Sequence, residues 1–218
     1  MSAPLIQKIA PPALPQAREV FDRPYQDQLN NVHRLFYNRF TQSYNSLISP
    51  PLPGIAPGGS NLYFPYASIQ RTTDKTFTAN TATEITFDQN DYLSACTNDG
   101  TNGIGIEVGG IYNYQFSVQW RNTDSQIHDA WIWLRVNDTN VAGTASQFSV
   151  VSRHGSVDGH AIAAANFYVQ LAPGDFVKMF AAVNNTAVVM EAYPTQTTPF
   201  AMPSIPSVVA TLTFVSAV

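Results

Sequence analysis

The residues best suited to chemistry lie in one glycine-rich stretch, Arg153-His154-Gly155-Ser156-Val157-Asp158-Gly159-His160. Two imidazoles and a carboxylate are donors that zinc accepts. Nothing else in the chain completes the ligand set, so the stretch reads as a solvated loop. The other two histidines are His33 and His128. Asp88, Asn90 and Asp91 offer oxygens to calcium but lack the spacing of a dedicated loop. Cys96 sits among small polar residues with no histidine or basic neighbour to activate its thiol. There is no phosphate loop, no Gly-x-Ser-x-Gly elbow and no spaced acid pair. The sequence therefore predicts no catalytic residues, no bound metal and no cofactor.

Recognition chemistry is easier to find. Trp131, Trp133 and Arg135 alternate with Ala130, Ile132, Leu134 and Val136. In a strand this puts the tryptophans and the arginine on the face turned away from the core. Two readings are open: the indoles lie under a loop or in a subunit seam, or they form an exposed patch for a protein or a glycan. The preceding run, 111–120, also alternates, with Tyr112, Tyr114, Phe116, Val118 and Trp120 on one face and Asn113, Gln115, Ser117 and Gln119 on the other. A polar turn, 121–128, separates the two runs.

The chain has 218 residues, 44% of them hydrophobic and only 12% charged. That charge share is about half the usual one and suits a surface largely covered by partners. A net charge of -4 gives no support to nucleic-acid binding. One cysteine excludes an internal disulfide framework. The amino-terminal residues do not read as a signal peptide, and no apolar run approaches the ~18 residues of a membrane span. The expected site of synthesis is a cytoplasm, where the sequons at Asn137 and Asn184 carry no meaning.

Residues 1–21 form an extended arm. Pro4, Pro11, Pro12 and Pro15 forbid a continuous helix, while Leu5, Ile6, Ile9, Leu14, Val20 and Phe21 supply apolar contacts for docking. Residues 22–48 read as a helix, with Asp22 as N-cap and Pro24 in the first turn. Tyr25, Leu29, Val32, Phe36, Phe40, Tyr44 and Leu47 follow in steps of 4, 3, 4, 4, 4 and 3. The mean, about 3.67, predicts a nearly straight bundle of associating helices. Residues 49–60 are a Pro/Gly linker, and 61–218 read as an all-β domain of short alternating runs.

Several segments occur in one order: Tyr66-Ala67-Ser68, Thr83 to Asp88, Gly110-Ile111-Tyr112, Ile132-Trp133-Leu134-Arg135-Val136-Asn137, Leu171-Ala172-Pro173-Gly174-Asp175 and Ile205-Pro206-Ser207. Together they resemble the C1q/TNF-like jelly roll found in structural proteins of tailed bacteriophages, including marine and cyanobacterial phages. The resemblance spans about residues 66–218; the helix residues 28–38 also look like the amino-terminal part of such virion proteins. It implies a mainly β jelly-roll sandwich, trimeric about a three-fold axis. Strands 111–120, 175–183 and 207–216 would form the axis-facing sheet, with Val177, Met179, Val209 and Val215 buried by neighbours. At Asn137-Asp138 some relatives carry glycine, but Asn and Asp also tolerate positive φ.

The expected function is that of a non-enzymatic virion protein, assembled in the host cytoplasm: a homotrimeric capsid decoration or cement protein. Its partners would be sister copies and the major capsid protein, or a tail or adaptor protein, of the same virion. The rival is a short tail-fibre or receptor-binding protein whose jelly roll recognises a host surface glycan. In either, the proline-stiffened arm loses little entropy on docking, and trimerisation raises its effective concentration. Deleting residues 1–21 is expected to leave a folded, soluble trimer that no longer binds virions lacking the native protein. Near-native decoration by the truncated trimer would move the anchor to the jelly roll.

Overall fold

Strand β6 (Gly110–Asn122) alternates buried and outward positions along its whole length. The computed structural model describes residues 20, 22–48, 64–101 and 103–217, with side chains of 45–48 set aside. The chain divides into two units, Met1–Phe64 and Pro65–Val218.

In the first unit, helix α1 runs Arg23–Ile48 and is about 39 Å long at 1.5 Å per residue. Asp22 accepts the first intrahelical bond from the Gln26 amide, 3.0 Å, and Pro24 stands in the first turn, where a missing N–H costs nothing. Phe36, Phe40 and Tyr44 stack in sequence, their centroids 6.5 and 6.4 Å apart. Leu29, Val32 and Phe36 are half-buried, whereas Phe40 and Tyr44 are exposed. Leu47 of the expected seam, the linker 49–60 and the arm residues Leu5, Ile6, Ile9, Leu14 and Phe21 lie outside the described side chains; Val20 is exposed.

In the second unit β6 is joined by β1 (Tyr66–Arg71), β2 (Thr83–Ile85), β3 (Gln89–Ser94), β4 (Cys96–Asn98) and β5 (Ile104–Ile106). After it come β7 (His128–Val136), β8 (Thr139–Asn140), β9 (Ser146–Val150) and β10 (Gly159–Leu171). Last are β11 (Phe176–Val183), β12 (Val188–Met190) and β13 (Val208–Ser216). The first sheet has the order β10-β6-β13-β1-β3, with β12 also on β6. The second has β4-β5-β11-β7-β8, with β2 on β11 and β9 on β7. All named pairs are antiparallel. Two such sheets face to face make a jelly-roll sandwich.

The core is what the alternation requires. Tyr112, Tyr114, Phe116, Val118 and Trp120 of β6 meet Ala130, Ile132 and Leu134 of β7, all of them buried. Two tight turns set the register. Asn137 (φ 48°) and Asp138 (φ 64°) close the β7–β8 hairpin as a two-residue turn with positive φ at both positions, which Asn and Asp tolerate. Gly174 (φ 89°) follows Pro173 in the turn before β11, where the Asp175 amide donates to Ala172 O at 3.1 Å.

The fold corrects the expected subunit seam. Strand β11 does not share a sheet with β6 and β13; it lies centrally in the second sheet, between β5 and β7. Val177 and Met179 point into the core of their own subunit, at 1% and 0% exposure. The strand is apolar on both sides because Phe180, on its outer side, is covered by β7 side chains, not by a neighbouring copy. Val209 and Val215 do lie on the outer face of the first sheet, half-buried and exposed. Met179→Asp is therefore expected to abolish folding, since it buries an unpaired charge. Met179→Ala should cost about 2–5 kcal/mol in denaturant unfolding. Val215→Asp, exposed on the single subunit, should leave the far-UV spectrum of the folded subunit unchanged.

Candidate functional site

The second sheet turns Trp131, Trp133 and Arg135 of β7 outward, all three half-buried. The positive-φ turn at Asn137-Asp138 sets Asn140 of β8 opposite Arg135. Asn140 Oδ1 then accepts from Trp133 Nε1 at 2.9 Å and from Arg135 Nε at 2.7 Å. On the other side Trp133 pairs with Phe180 of β11, and the rings stack with centroids 6.0 Å apart and planes 29° from parallel. The Arg135 guanidinium lies 3.9 Å from the Phe180 centroid, a cation on the negative face of a ring. Phe180 is consequently only 7% exposed.

Lys178, opposite Arg135, is tied to Asp138 at 2.9 Å and lies 3.7 Å from Glu84. The hydrogen bond to Asp138 and the charge of Glu84 hold its pKa above the usual lysine value, against the effect of burial. Both cations of this face are thus engaged by their own subunit.

Trp131 has different surroundings. Its cross-strand partners are Ala182 on β11 and Gln147 on β9. The three residues expected to act as one patch therefore divide: Trp133 and Arg135 close over Phe180, and half-buried Trp131 takes no part in that contact. Phe180, Asn140 and Ala182 were not legible as part of the site. Their only signal in the sequence is outward parity in their own strands; pairing with β7 is a matter of register.

Asp158 and His160 join a different group. Arg121, on the outer face of the first sheet, forms an ion pair and hydrogen bond with the buried Glu191, which also accepts from the Tyr193 hydroxyl. His160 Nδ1 is 3.7 Å from Glu191, and Asp158 is 3.9 Å from Arg121 Nε. Burial and the hydrogen bond to Glu191 push the Tyr193 hydroxyl up to about 12. The group ties the segment after β12 to the sheet. His154 is exposed in the turn it forms with Val157. Among the described residues, no three His, Cys, Asp or Glu side chains gather as a metal cage.

The remaining candidates serve local structure. Asp88 accepts from the Thr72 amide at 2.8 Å and from the Thr72 and Thr73 hydroxyls. Asn90 pairs with Asn98, and Asp91 with Ser68, Gln70 and Gln89. Burial, with the charge of Glu107, pushes the Cys96 thiol up to about 12, so it stays protonated at neutral pH. His128 Nε2 meets Asp124 at 2.7 Å. This bond and that from the Ser125 amide hold the Asp124 carboxyl below the usual carboxylate range.

That depression has a sign. Stability from Asp124 is fully present above its unfolded value, about pH 4, and is lost as pH falls through the lower folded value. The stability gap between the native chain and Asp124→Asn should be constant from about pH 4 up to 6 and shrink below that. Urea unfolding at a series of pH values measures it; a gap unchanged down to about pH 2 would show that the bond leaves the carboxyl unperturbed.

No family model matches the chain, and no curated protein matches it. Among solved structures, it is similar to the globular domain of zebrafish complement 1qA protein. The identity is 12%, over 71% of this chain and 98% of that one, with a TM-score of 0.42. The jelly-roll assignment stands on the strand order and core of the two sheets themselves.

Proposed function

We propose that this chain is a non-enzymatic, homotrimeric structural protein of a bacteriophage virion, positioned on the capsid as a decoration or cement protein. The observation that carries the reading is the outer face of the first sheet. Four adjacent strands present Ile162, Ala164, Asn166 and Tyr168 from β10, then Asn113, Gln115, Ser117 and Gln119 from β6. Val209, Thr211 and Thr213 follow from β13, and Ser68 and Gln70 from β1. None of these is charged; charge enters at one end, with Arg121, Asp158, His160 and Glu191, and on edge strand β3, where Asp91 is tied to Ser68 and Gln70.

Depletion of charge is what distinguishes the centre of an interface from ordinary surface. Ile162 and Tyr168 are 68% and 67% exposed there. Asn113 Oδ1 is buried within the subunit without a donor among the described residues. Val209 and Val215 belong to this surface. The motif order that resembles phage jelly-roll proteins supplies the virion setting, and the aromatic stripe of α1 gives sister helices a surface to share.

A second reading, the receptor-binding tail fibre, is favoured by one observation, the outward-facing, half-buried indole of Trp131 on the opposite sheet. Copy number in a density map of the intact particle separates the two: hundreds of copies mean decoration, a few dozen or fewer mean a fibre. The trimer itself is tested by light scattering. The native chain should have three times the monomer mass. Thr211→Asp, which sets a charge in the middle of the uncharged face, should give a monomer with an unchanged far-UV spectrum. A native monomer at micromolar concentration, or a trimer indifferent to the aspartate, would remove the interface.

A further inference from the structure

The first sheet ends on β10, which among the described residues pairs with β6 alone, in an unbroken register from Gly159 to Leu171. Its other edge carries a row of backbone N–H and C=O groups with no described strand beside it. Other edge strands are blunted in ways that proteins ordinarily use. Strand β3 is six residues long, holds Asp91 and breaks register against β1 at Ser68/Ile69. Strand β4 has three residues, β8 two and β9 five. Strand β10 has 13 residues, none of them Pro, Lys, Arg, Asp or Glu, and no bulge. A long, continuous, uncharged edge is a template for another strand.

The core is open on the same side. Ala161, Ala165 and Phe167 face inward from β10 and pack on the core, yet stay half-buried, whereas Ala163 and Val169 of the same strand are buried. On the outward side Ile162 and Tyr168 are 68% and 67% exposed. At Gly159 the edge is closed: the carbonyls of Val151 and Ser152 leave no room for a side chain there. The stretch free to pair is therefore 161–171.

The sequence of β10 fits a second copy of itself. Antiparallel pairing about a two-fold axis at Ala165 sets Ile162 opposite the partner's Tyr168, and Tyr168 opposite the partner's Ile162. An aromatic beside a β-branched residue is a favourable cross-strand pair. On the inner side the same register sets Ala163 against the partner's Phe167, small against large, and Ala161 against the partner's Val169. Moving the axis to Ala164 or Asn166 sets Ile162 against the partner's Asn166 or Gln170 instead. We infer that β10 is an association edge, at which two copies of this chain pair antiparallel about Ala165 and continue the first sheet from one copy into the next. One strand pair is a small interface of the transient class, so it forms where copies are held side by side and adds little in dilute solution. Its use as a link between neighbouring trimers rests on the capsid reading; the contact itself does not.

Cysteine trapping reads the register, on the full chain concentrated to the millimolar range and mildly oxidised. Cys96 is buried and stays silent. Ala165→Cys should link to its own copy, because residues directly opposite have Cα atoms about 4.5–5.5 Å apart, within reach of a disulfide. Ala164→Cys and Asn166→Cys, both at exposed positions, should link to each other when mixed. Alone, each is offset from its own copy by two residues, beyond the limit of about 7 Å, and should hardly link. Gln170→Cys, which falls opposite the partner's His160, should give a dimer band on a non-reducing gel at least about tenfold weaker than that of Ala165→Cys. All are run in the native chain and in the Thr211→Asp background, and the mixture decides where Ala165→Cys fails to fold or disagrees with it. No linkage in the mixture, as when a strand of another protein covers the edge, overturns the proposal; so does linkage by Gln170→Cys to a similar extent. Linked pairs from a chain of monomer mass would remove the trimer and keep the edge contact, and trimer mass without linkage would do the reverse.

Discussion

Every outward position in the jelly roll depends on the burial of one face of β6. Its inward residues, Tyr112 to Trp120, are fully buried or nearly so, and the strand is paired along its length with β10 and β13. Side chains alternate with period two, so a slip of one residue would drive five large side chains into water and four polar ones into the core. At roughly 1.5–3 kcal/mol for each large apolar side chain, that register has no close competitor. The partner strands inherit it through the ladder: once Phe116 faces inward, Ala210 and Ala165 opposite it do too, and Thr211 and Asn166 face out.

The two outer faces have been finished in different ways. On the first sheet, short uncharged polar side chains alternate with a few apolar ones, a surface with little desolvation cost when covered. On the second sheet, the chain covers much of its own aromatic surface. Arg135 can lie flat on Phe180 because Asn140 holds its Nε from the other side, and Asn140 is there because Asn137 and Asp138 accept positive φ in the turn. A guanidinium over a ring keeps its charge hydrated at the edge while its plane shields apolar carbon.

The buried Glu191 plays a similar part at the end of the first sheet. A carboxylate at 7% exposure is tolerable when both oxygens are matched, here by Arg121 and by the Tyr193 hydroxyl. Cys96, by contrast, is buried without such partners and behaves as a small hydrophobe.

Sequence alone determined what depends on local pattern. The alternation of 111–120 and 130–136 placed the core and outward positions of both runs correctly, because a half-buried strand cannot hide its period. A sandwich or jelly roll followed from many short strands with turn residues between them, and Asn137-Asp138 was legible only as a pair that tolerates positive φ. Sheet membership was not. Strand β11 is apolar on both faces, so its composition fits any doubly covered position; only pairing with β5 and β7 shows that Val177 and Met179 fill their own core and that Phe180 is covered by Arg135. The contacts of Asp129 were hidden for the same reason. Asp129 and Asn184 are 55 residues apart in the chain, and Ser149 is 20 from Asp129. What brings them together is strand register, a property of the closed core that no local spacing encodes.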